Sequence, residues 1–269
     1  MNKQLSIFNR NRLYFEEFLR KTNQKENISS FLISNFSAKH KRIKILSIGA
    51  GSGEDNIGFL EYLKSRNIDF EFFYFDPSKL SFNLFKEKIK RAKLLNYLSY
   101  VGFDKFELYE TKEKFDIINA SHVFYYLGDW EKSLNKLYAV LKNNGSAFIF
   151  IQSEDSDNFK FRNKFLKNIF GNNYAERFGE ELIKIVKKLN LDCKTQKIIS
   201  TLDVTNTVFK NDKISVSGKR LLSFLLRTNY NNLNNNLKSE INKYILENSE
   251  IKNKRRIFKL VDNYIIIHK

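Results

Sequence analysis

Residues 41–64, KRIKILSIGAGSGEDNIGFLEYLK, contain a short apolar strand (43–48), a glycine-rich turn and an amphipathic helix. The turn itself is Gly49-Ala50-Gly51-Ser52-Gly53. Glycines are needed where a turn uses unusual dihedral angles and where the backbone comes close to a ligand. The helix that follows offers unpaired N–H groups, which suit a polar or anionic group. This stretch therefore predicts a ligand site at the carboxyl end of a parallel strand.

Strand and helix alternate from this stretch to residue 153. Further strands are predicted at 69–78, 98–104, 115–121 and 146–153, with helices between them and an NNG turn at 143–145. This alternation is the signature of an α/β protein with a doubly wound parallel sheet.

The pattern is less regular outside this core. Two short helices are predicted within 11–36, separated by a polar segment. After residue 153 we predict two helices, a strand at 194–203, a helical insertion at about 215–248 and two closing β-type runs, KRRIFKLV and NYIIIHK.

The chain is predicted to form one domain over residues 1–269. Its parts are a helical N-terminal lid (1–40), a donor-binding core (41–153) and the remainder of the sheet (154–269) with a substrate-site insertion at about 204–250.

The spacing of the glycines separates this turn from that of dinucleotide-dependent enzymes. Their G-x-G-x-x-G pattern places a glycine at position 54, where this chain has Glu54. Asp76 ends the second predicted strand, 23 residues after Gly53, where a carboxylate can accept hydrogen bonds from both hydroxyls of a ribose. Asp76 also precedes Pro77-Ser78, so a helix cap is the alternative role. Together these features favour a nucleoside ligand and disfavour a nicotinamide-dependent oxidoreductase.

Composition excludes several classes of protein. The chain has 269 residues, 42% of them hydrophobic, so it can bury a full core. The single cysteine, Cys193, excludes an internal disulfide framework and a cysteine-based zinc cluster. No apolar run approaches the roughly 20 residues that cross a bilayer, and the N-terminus lacks the apolar centre of a secretory signal. We expect a cytoplasmic protein with no metal and no membrane partner.

The formal net charge of +17 has two explanations. A field of this size attracts phosphates and is typical of nucleic-acid binding. However, lysine greatly outnumbers arginine, asparagine is abundant and proline occurs once, a bias that an A/T-rich genome produces without any such partner. The charge is also spread along the chain rather than gathered in one block. Codon bias is the favoured explanation, and a nucleic-acid partner is the alternative.

The segment KILSIGAGSGED resembles motif I of the class I S-adenosylmethionine-dependent methyltransferases, and in particular that of the histamine N-methyltransferase branch. Most class I members carry an acidic residue where this chain has Ser47, whereas the histamine enzymes also carry serine. The likeness recurs in YFEEFLRKTNQKEN (14–27), HVFYYLGDW (122–130), IISTLDVT (198–205), LLSFLLRTNYN (221–231) and the closing strand. It implies a Rossmann-like methyltransferase sheet of seven strands, the last pair antiparallel, with helical N-terminal and C-terminal additions that cover the acceptor site.

The resemblance also implies a donor site for S-adenosylmethionine. Gly49, Gly51 and Gly53 would line the donor, and Asp76 would bind its ribose in place of the glutamate of the family.

Three further residues complete the predicted donor site. Ser81 stands where the family has a donor-contacting glutamine. Ser121, at the end of the fourth strand, would lie beside the adenine or the methionine portion. Asp104, after the third strand, is a candidate acceptor for the adenine amino group from its position in the fold.

The implied acceptor site comes from the N-terminal segment and the loop after the fourth strand. Tyr14 and Phe18 match aromatic residues that close the pocket of the family, although their spacing of four also suits packing on a helix face. Glu26 matches, across a gap, the glutamate that binds the amine substrate, and a surface carboxylate is its alternative role. Tyr125 and Tyr126 match the tyrosine pair of the family and directly follow a strand end.

Two positions of the implied acceptor site depart from the family. His122 replaces a substrate-binding glutamine, and the substrate-binding asparagine near the C-terminus aligns with Leu260, or with Asp262 if the register slips by two. His122 is a candidate general base or hydrogen-bond partner, with a structural histidine as the alternative. Such polar contacts dominate the discrimination between similar substrates, so the departures disfavour histamine itself.

These observations predict an S-adenosylmethionine-dependent methyltransferase that acts on a nitrogen of a small amine or imidazole-type molecule by direct in-line displacement. Alignment and exclusion of water are its main requirements. The predicted catalytic residues are His122 and Glu26. The alternatives are a nucleic-acid methyltransferase, although the N/D-P-P-Y/F signature of base-amine enzymes is absent after the fourth strand, and a non-catalytic binding protein with this fold.

Overall fold

The computed structural model describes residues 12–36, 42–210 and 213–269. Within these ranges the chain forms nine α-helices and eight strands. The helices are α1 Arg12–Lys21, α2 Gln24–Asn35, α3 Asn56–Ser65, α4 Lys79–Arg91, α5 Trp130–Val140, α6 Asp157–Phe170, α7 Gly179–Lys188, α8 Val216–Leu225 and α9 Asn235–Asn248. The strands are β1 Arg42–Ile48, β2 Asp69–Phe75, β3 Leu98–Gly102, β4 Phe115–Ser121, β5 Leu141–Gln152, β6 Cys193–Asp203, β7 Glu250–Lys252 and β8 Arg255–His268.

The strands form one sheet in the order β3-β2-β1-β4-β5-β8-β6, with β7 paired to β8. The pairs β1/β2, β1/β4, β2/β3 and β4/β5 are parallel, and β8 is antiparallel to β5. Because the order reverses between β1 and β4, their carboxyl ends flank the switch point where ligands of open α/β sheets bind. The predicted doubly wound sheet is confirmed, with β7 added to the expected seven strands.

Two details of the prediction are wrong near the end of the sheet. The two closing β-type runs are one strand, β8, because Asp262 and Asn263 continue it although both residue types are depleted in strands. A hairpin lies earlier in the chain, where Asn253 and Lys254, both with positive φ, join β7 to β8. The NNG turn lies within β5 at a register shift, where Asn144 has φ +66°.

The chain divides into two compact units. The sheet unit comprises Lys25–Gln152, Phe178–Ile198 and Asp262–Lys269. The accessory unit comprises Ser153–Arg177, Ile199–Val261 and the described residues of Met1–Gln24. Residues 42–152 of the predicted donor-binding core therefore belong to the sheet unit, while the single-domain organisation stays a prediction.

The sheet unit has an apolar core on each face of the sheet. Neighbouring residues of β1 point to opposite faces, so Leu46 packs in one core and Ile45 in the other. The first core includes Trp130 of α5 and the second includes Phe85 of α4. A parallel sheet covered on both faces explains why its strands are continuously apolar.

The accessory unit has its own core, built from α1, α6, α8, α9 and parts of β6 and β8. Phe18 is 5% exposed there, and its ring centroid lies 4.6 Å from that of Phe224. Leu260 is buried in the same cluster. Among the described residues, the helices are all too short or too polar to cross a membrane.

Candidate active site

The turn after β1 uses left-handed backbone angles at all three predicted glycines. Gly49, Gly51 and Gly53 have φ of +63°, +55° and +81°. A Cβ at Gly49 would lie 2.5 Å from Cγ2 of Val123, and one at Gly53 would lie 2.4 Å from Cδ2 of Phe85. At Gly51 the nearest atom is 3.9 Å away. Gly49 and Gly53 are thus required by both angle and space, whereas Gly51 is required by its angle alone, since a Cβ there would make only an ordinary van der Waals contact.

The peptide groups of Gly51 are held by two side chains of β2 and its end. The Tyr74 hydroxyl donates to the Gly51 carbonyl at 2.9 Å. One carboxylate oxygen of Asp76 accepts from the Gly51 N–H at 3.0 Å, and the other accepts from the Ser78 N–H at 2.8 Å. Asp76 therefore lies directly beside the turn, as the spacing predicts.

Burial changes the acidity of both side chains. Burial raises the pKa of the Asp76 carboxyl, and the two N–H donors offset this only in part. Burial, with the carboxylates of Asp76 and Glu54 nearby, also raises the pKa of Tyr74, which stays a hydrogen-bond donor. A carboxylate oxygen has two lone pairs, so each oxygen of Asp76 keeps one for a further donor such as a ribose hydroxyl.

Glu54, which replaces the third glycine of the dinucleotide pattern, also supports the turn. Its carboxylate accepts hydrogen bonds from the Ser52 hydroxyl at 2.7 Å and from the Lys88 ammonium. Lys88 also donates to the Ser52 carbonyl at 3.2 Å. Burial raises the pKa of the Glu54 carboxyl, but Lys88 and Ser52 outweigh it, and the pKa lies below its ordinary value.

The loop after β4 begins directly beside the glycine turn. Ser47 of β1 is opposite Asn119 of β4, so Gly49 and Ser121 occupy matching positions two residues further along. Adjacent strands are about 5 Å apart, which places the buried Ser121 beside the glycine turn at the carboxyl end of β4, while its contact with a donor stays a prediction. His122 follows with φ +53°, and its N–H donates to the Phe150 carbonyl at 2.8 Å.

His122 faces a buried carboxylate. Its Nε2 lies 3.7 Å from Oδ2 of Asp262, which is 0% exposed on β8. Asp262 is opposite Gln152 of β5 in the sheet register. Of the two residues that align with the family's C-terminal asparagine, Asp262 therefore lies beside His122, and Leu260 lies in the core of the accessory unit.

The first tyrosine of the predicted pair, Tyr125, lies next to His122. The Tyr125 ring is nearly parallel to the imidazole, with centroids 6.2 Å apart, and its hydroxyl accepts from the Gln152 N–H. The Tyr126 ring is perpendicular to that of Tyr125 at 6.4 Å. Tyr125 thus connects the His122 loop to the end of β5.

Lys25, which the sequence does not single out, reaches the same edge from the first turn of α2. Its ammonium lies 3.5 Å from the Ser121 hydroxyl and 3.7 Å from the Asp55 carboxylate. Neighbouring Glu26 is exposed in the same turn. The predicted substrate role of Glu26 stays a prediction, and its lysine neighbour is the residue that contacts the strand end.

Other predicted residues are found in varied surroundings. Ser81 is half-buried in α4, where its N–H donates to the Ser78 hydroxyl at 3.2 Å, and Asp104 is exposed after β3. Tyr14 is half-buried and Phe18 is buried, both in the accessory unit. The contact of Phe18 with Phe224 matches its alternative role in helix packing, and the substrate roles of both aromatics stay predictions.

Sequence reasoning missed Lys25, Asp55, Tyr74 and Val123. The only signal for Val123 was its place after β4, and Lys25 and Asp55 are 30 residues apart with no shared pattern. In the described ranges, no group of three or more His, Cys, Asp or Glu side chains could hold a metal ion.

Comparison with known proteins gives consistent likenesses. The methyltransferase-domain family matches residues 46–147, which span the glycine turn and the β4 loop. Histamine N-methyltransferase of Cavia porcellus is 23% identical over 244 residues, 83% of this chain and 82% of that protein. The Bos taurus enzyme is 23% identical over 236 residues, 81% of this chain and 80% of that protein.

Solved structures share the fold. A SAM-dependent methyltransferase of Thermotoga maritima aligns with a TM-score of 0.55 and 14% identity, over 99% of this chain and 100% of that one. The YcgJ protein of Bacillus subtilis aligns with a TM-score of 0.60 and 14% identity, over 91% of this chain and 98% of that one. Both likenesses extend over the sheet and the segments added to it.

Proposed function

Because this chain belongs to the class I S-adenosylmethionine-dependent methyltransferases, we propose that it methylates a nitrogen of a small amine or imidazole-type molecule. The observation that carries the proposal is the pair formed by His122 and Asp262 at the carboxyl end of β4, beside the glycine turn. Similarity to the histamine N-methyltransferases over most of the chain supports a small nitrogen acceptor.

The residues of the turn fit the donor. The uncrowded backbone at Gly51 and the spare lone pairs of Asp76 give a backbone surface and an acceptor for ribose hydroxyls. Ser121 adds a buried hydroxyl at the adjacent strand end. These residues would hold the donor, which supplies an electrophilic sulfonium methyl group when bound.

His122 has the chemistry required on the acceptor side. An amine nitrogen attacks only when it is unprotonated, so a base must take its proton, and a histidine is suited to this near neutral pH. We therefore assign proton acceptance to the imidazole of His122, whose Nε2 lies 3.7 Å from Oδ2 of Asp262. The Asp262 carboxylate, 3.7 Å from Nε2, would stabilise the resulting imidazolium by charge.

The aromatic rings beside His122 support a cationic product. The Tyr125 ring lies nearly parallel to the imidazole, and the Tyr126 ring is perpendicular to that of Tyr125. Aromatic faces attract cations by about 0.5–2 kcal/mol, more when desolvated. In the proposed site, the exposed Glu26 in the first turn of α2 orients the amine through its carboxylate.

The test is a labelled-methyl transfer assay against small amines, imidazoles and total RNA at low and high salt. We expect label in a small molecule at both salt concentrations. Label that enters only RNA, and only at low salt, would instead support the nucleic-acid alternative, since phosphate contacts weaken steeply with salt. Donor binding without transfer to any acceptor class would support a non-catalytic protein.

Variants of the proposed base give the assay its internal check. His122→Gln restores the amide of the family, and Asp262→Asn keeps the shape of the carboxylate but removes its charge. We expect turnover to fall by about 10²- to 10⁴-fold in His122→Gln, the usual size of general-base effects, with a smaller loss in Asp262→Asn. His268→Gln is the matched control, because His268 lies opposite Ser146, near the other end of β5.

A further inference from the structure

Lys25 and Asp55 form an ion pair beside the glycine turn, at the carboxyl ends of β1 and β4. The sequence does not predict this pair. The ammonium of Lys25 lies 3.7 Å from the Asp55 carboxylate, and the two side chains are only 17% and 7% exposed. Placing two charges in such surroundings costs desolvation energy, which a 3.7 Å ion pair and two long hydrogen bonds, from Lys25 to Ser121 and from Asn56 to Asp55, repay poorly. The ion pair therefore contributes little to stability, and a role in ligand binding is the alternative.

The backbone position of Asp55 makes the direction of its side chain informative. Asp55 directly precedes α3, where an aspartate usually caps the helix by accepting from its first N–H groups. Here the side chain makes no capping hydrogen bond. Its carboxylate instead accepts from Asn56 Nδ2 at 3.3 Å and faces Lys25. The usual stabilising role of this residue is replaced by the contact with Lys25.

Buried amides hold this arrangement in place. Asn119 of β4 donates to Asn56 Oδ1 at 2.9 Å, and both residues are 2% exposed. The chain of contacts from Asn119 through Asn56 to Asp55 ties the carboxylate to the sheet. Lys25 is directed at Ser121 as well, at 3.5 Å. Both charged groups are thus oriented before any ligand arrives.

The pair lies next to the glycine turn, where it would meet one end of a bound ligand. Asp55 is two residues after Gly53, and Ser121 occupies the strand position that matches Gly49. The pair therefore lies at the edge of the turn, on the same sheet end that holds Asp76. A ligand that fills the turn brings one of its ends towards an ammonium and a carboxylate set side by side.

We propose that Lys25 and Asp55 bind the zwitterionic amino-acid end of the methyl donor. Lys25 would bind the α-carboxylate and Asp55 the α-ammonium. The Lys25–Asp55 ion pair is then replaced by two ion pairs with the ligand, and the net charge of the site is unchanged. Charge-assisted hydrogen bonds of this kind are about twice as strong as neutral ones. The inference rests on donor binding by this chain and does not depend on the acceptor.

Calorimetric titration with two ligands tests the pairing. S-adenosylhomocysteine carries the amino-acid end, and 5′-methylthioadenosine has the same adenosine and thioether without it. We expect the wild-type chain to prefer S-adenosylhomocysteine, and Lys25→Met and Asp55→Asn to weaken its binding about 10- to 100-fold. Binding of 5′-methylthioadenosine should change less than about twofold. Lys90→Met, which removes an exposed lysine of α4, is the matched control.

The ratio of the two affinities within each variant decides the outcome, so a general loss of stability cannot imitate the effect. Lys25→Arg should restore most of the preference. An unchanged preference in Lys25→Met, or an equal loss for both ligands, would show that the pair only fastens α2 to α3. If the wild-type chain bound neither ligand, the donor function itself would fail, which is a separate result.

Discussion

The loops that follow β1 and β4 lie side by side, and both use left-handed backbone angles. In the first, the angles belong to Gly49, Gly51 and Gly53, and in the second to His122 at φ +53°. Glycine adopts such angles without steric cost, whereas another residue pays about 1–2 kcal/mol. The residues of the first loop therefore suit its backbone conformation without strain. The second loop accepts backbone strain at His122, which places the imidazole side chain.

The difference separates two kinds of functional residue. The glycine turn offers backbone groups, which a sequence shows directly because only glycine fits. The β4 loop offers an imidazole whose meaning depends on Asp262, 140 residues away. Strained non-glycine residues cluster at functional sites, and the structure gives His122 both the strain and a charged partner.

The largest effect is expected from filling the glycine turn. Gly49→Ala and Gly53→Ala add a Cβ within 2.5 Å of Val123 and Phe85, at a left-handed angle. Angle and overlap together should cost about 2–5 kcal/mol, with donor binding weakened more than about 100-fold. Thermal unfolding and calorimetry with S-adenosylhomocysteine measure both effects.

Two glycine variants sharpen this result. Gly51→Ala adds a Cβ at an ordinary van der Waals distance from the Gly49 carbonyl oxygen, so it costs only the strain of the left-handed angle, about 1–2 kcal/mol. Gly128→Ala has no atom within 4 Å and should be neutral. Equal effects at Gly49, Gly51 and Gly128 would show that the turn is not sterically defined.

The next effect is expected at His122, where backbone and ring can be separated. Asparagine also tolerates left-handed angles, so His122→Asn should keep the free energy of unfolding within about 1 kcal/mol while turnover falls about 100-fold. His122→Val should lose turnover and also about 1–2 kcal/mol of stability. Turnover near the wild-type value in His122→Asn would contradict a role for the ring.

A smaller effect is expected for Asp76, and it depends on pH. Asp76→Asn should weaken donor binding about 10- to 100-fold, because hydrogen bonds to a charged group contribute about 1.5–3 kcal/mol. Burial raises the pKa of Asp76, so donor affinity should fall as the pH is lowered through that raised pKa and the carboxylate is protonated. The same shift means that the ionised, buried group lowers stability as pH rises through its pKa.

Donor affinity measured across an acidic pH series, with Asp76→Asn alongside, checks this account. The wild-type curve should drop towards the asparagine variant at low pH. Parallel curves for the two proteins would exclude Asp76 as the titrating group.

The smallest effect is expected for the hydroxyl of Tyr125, which accepts from the Gln152 N–H. Tyr125→Phe should lower the free energy of unfolding by about 1–3 kcal/mol by removing a partner from this backbone group, with the acceptor KM changed less than about threefold. Tyr100→Phe, at a partly exposed tyrosine of β3, is the control. A KM increase above tenfold would assign the hydroxyl to the substrate instead.

The sequence predicts the local parts of this fold and misses those made by distant residues. The core strand Phe115–Ser121 has the predicted bounds, since a buried parallel strand is a continuous apolar run. β8 is predicted as two runs because Asp262 interrupts the apolar pattern, and the approach of Asp262 to His122 joins residues that are distant in sequence. The sequence does not predict the role of Lys25 either, because its partners Asp55 and Ser121 are distant from it in sequence.

The division of roles between the two loops is tested most directly by titrating S-adenosylhomocysteine into the wild-type chain, Gly53→Ala and His122→Asn side by side. The account predicts that His122→Asn binds within about threefold of the wild-type chain, whereas Gly53→Ala binds more than about 100-fold more weakly. Equal affinity in all three proteins, or a loss confined to His122→Asn, would contradict the assignment of the donor to the glycine turn.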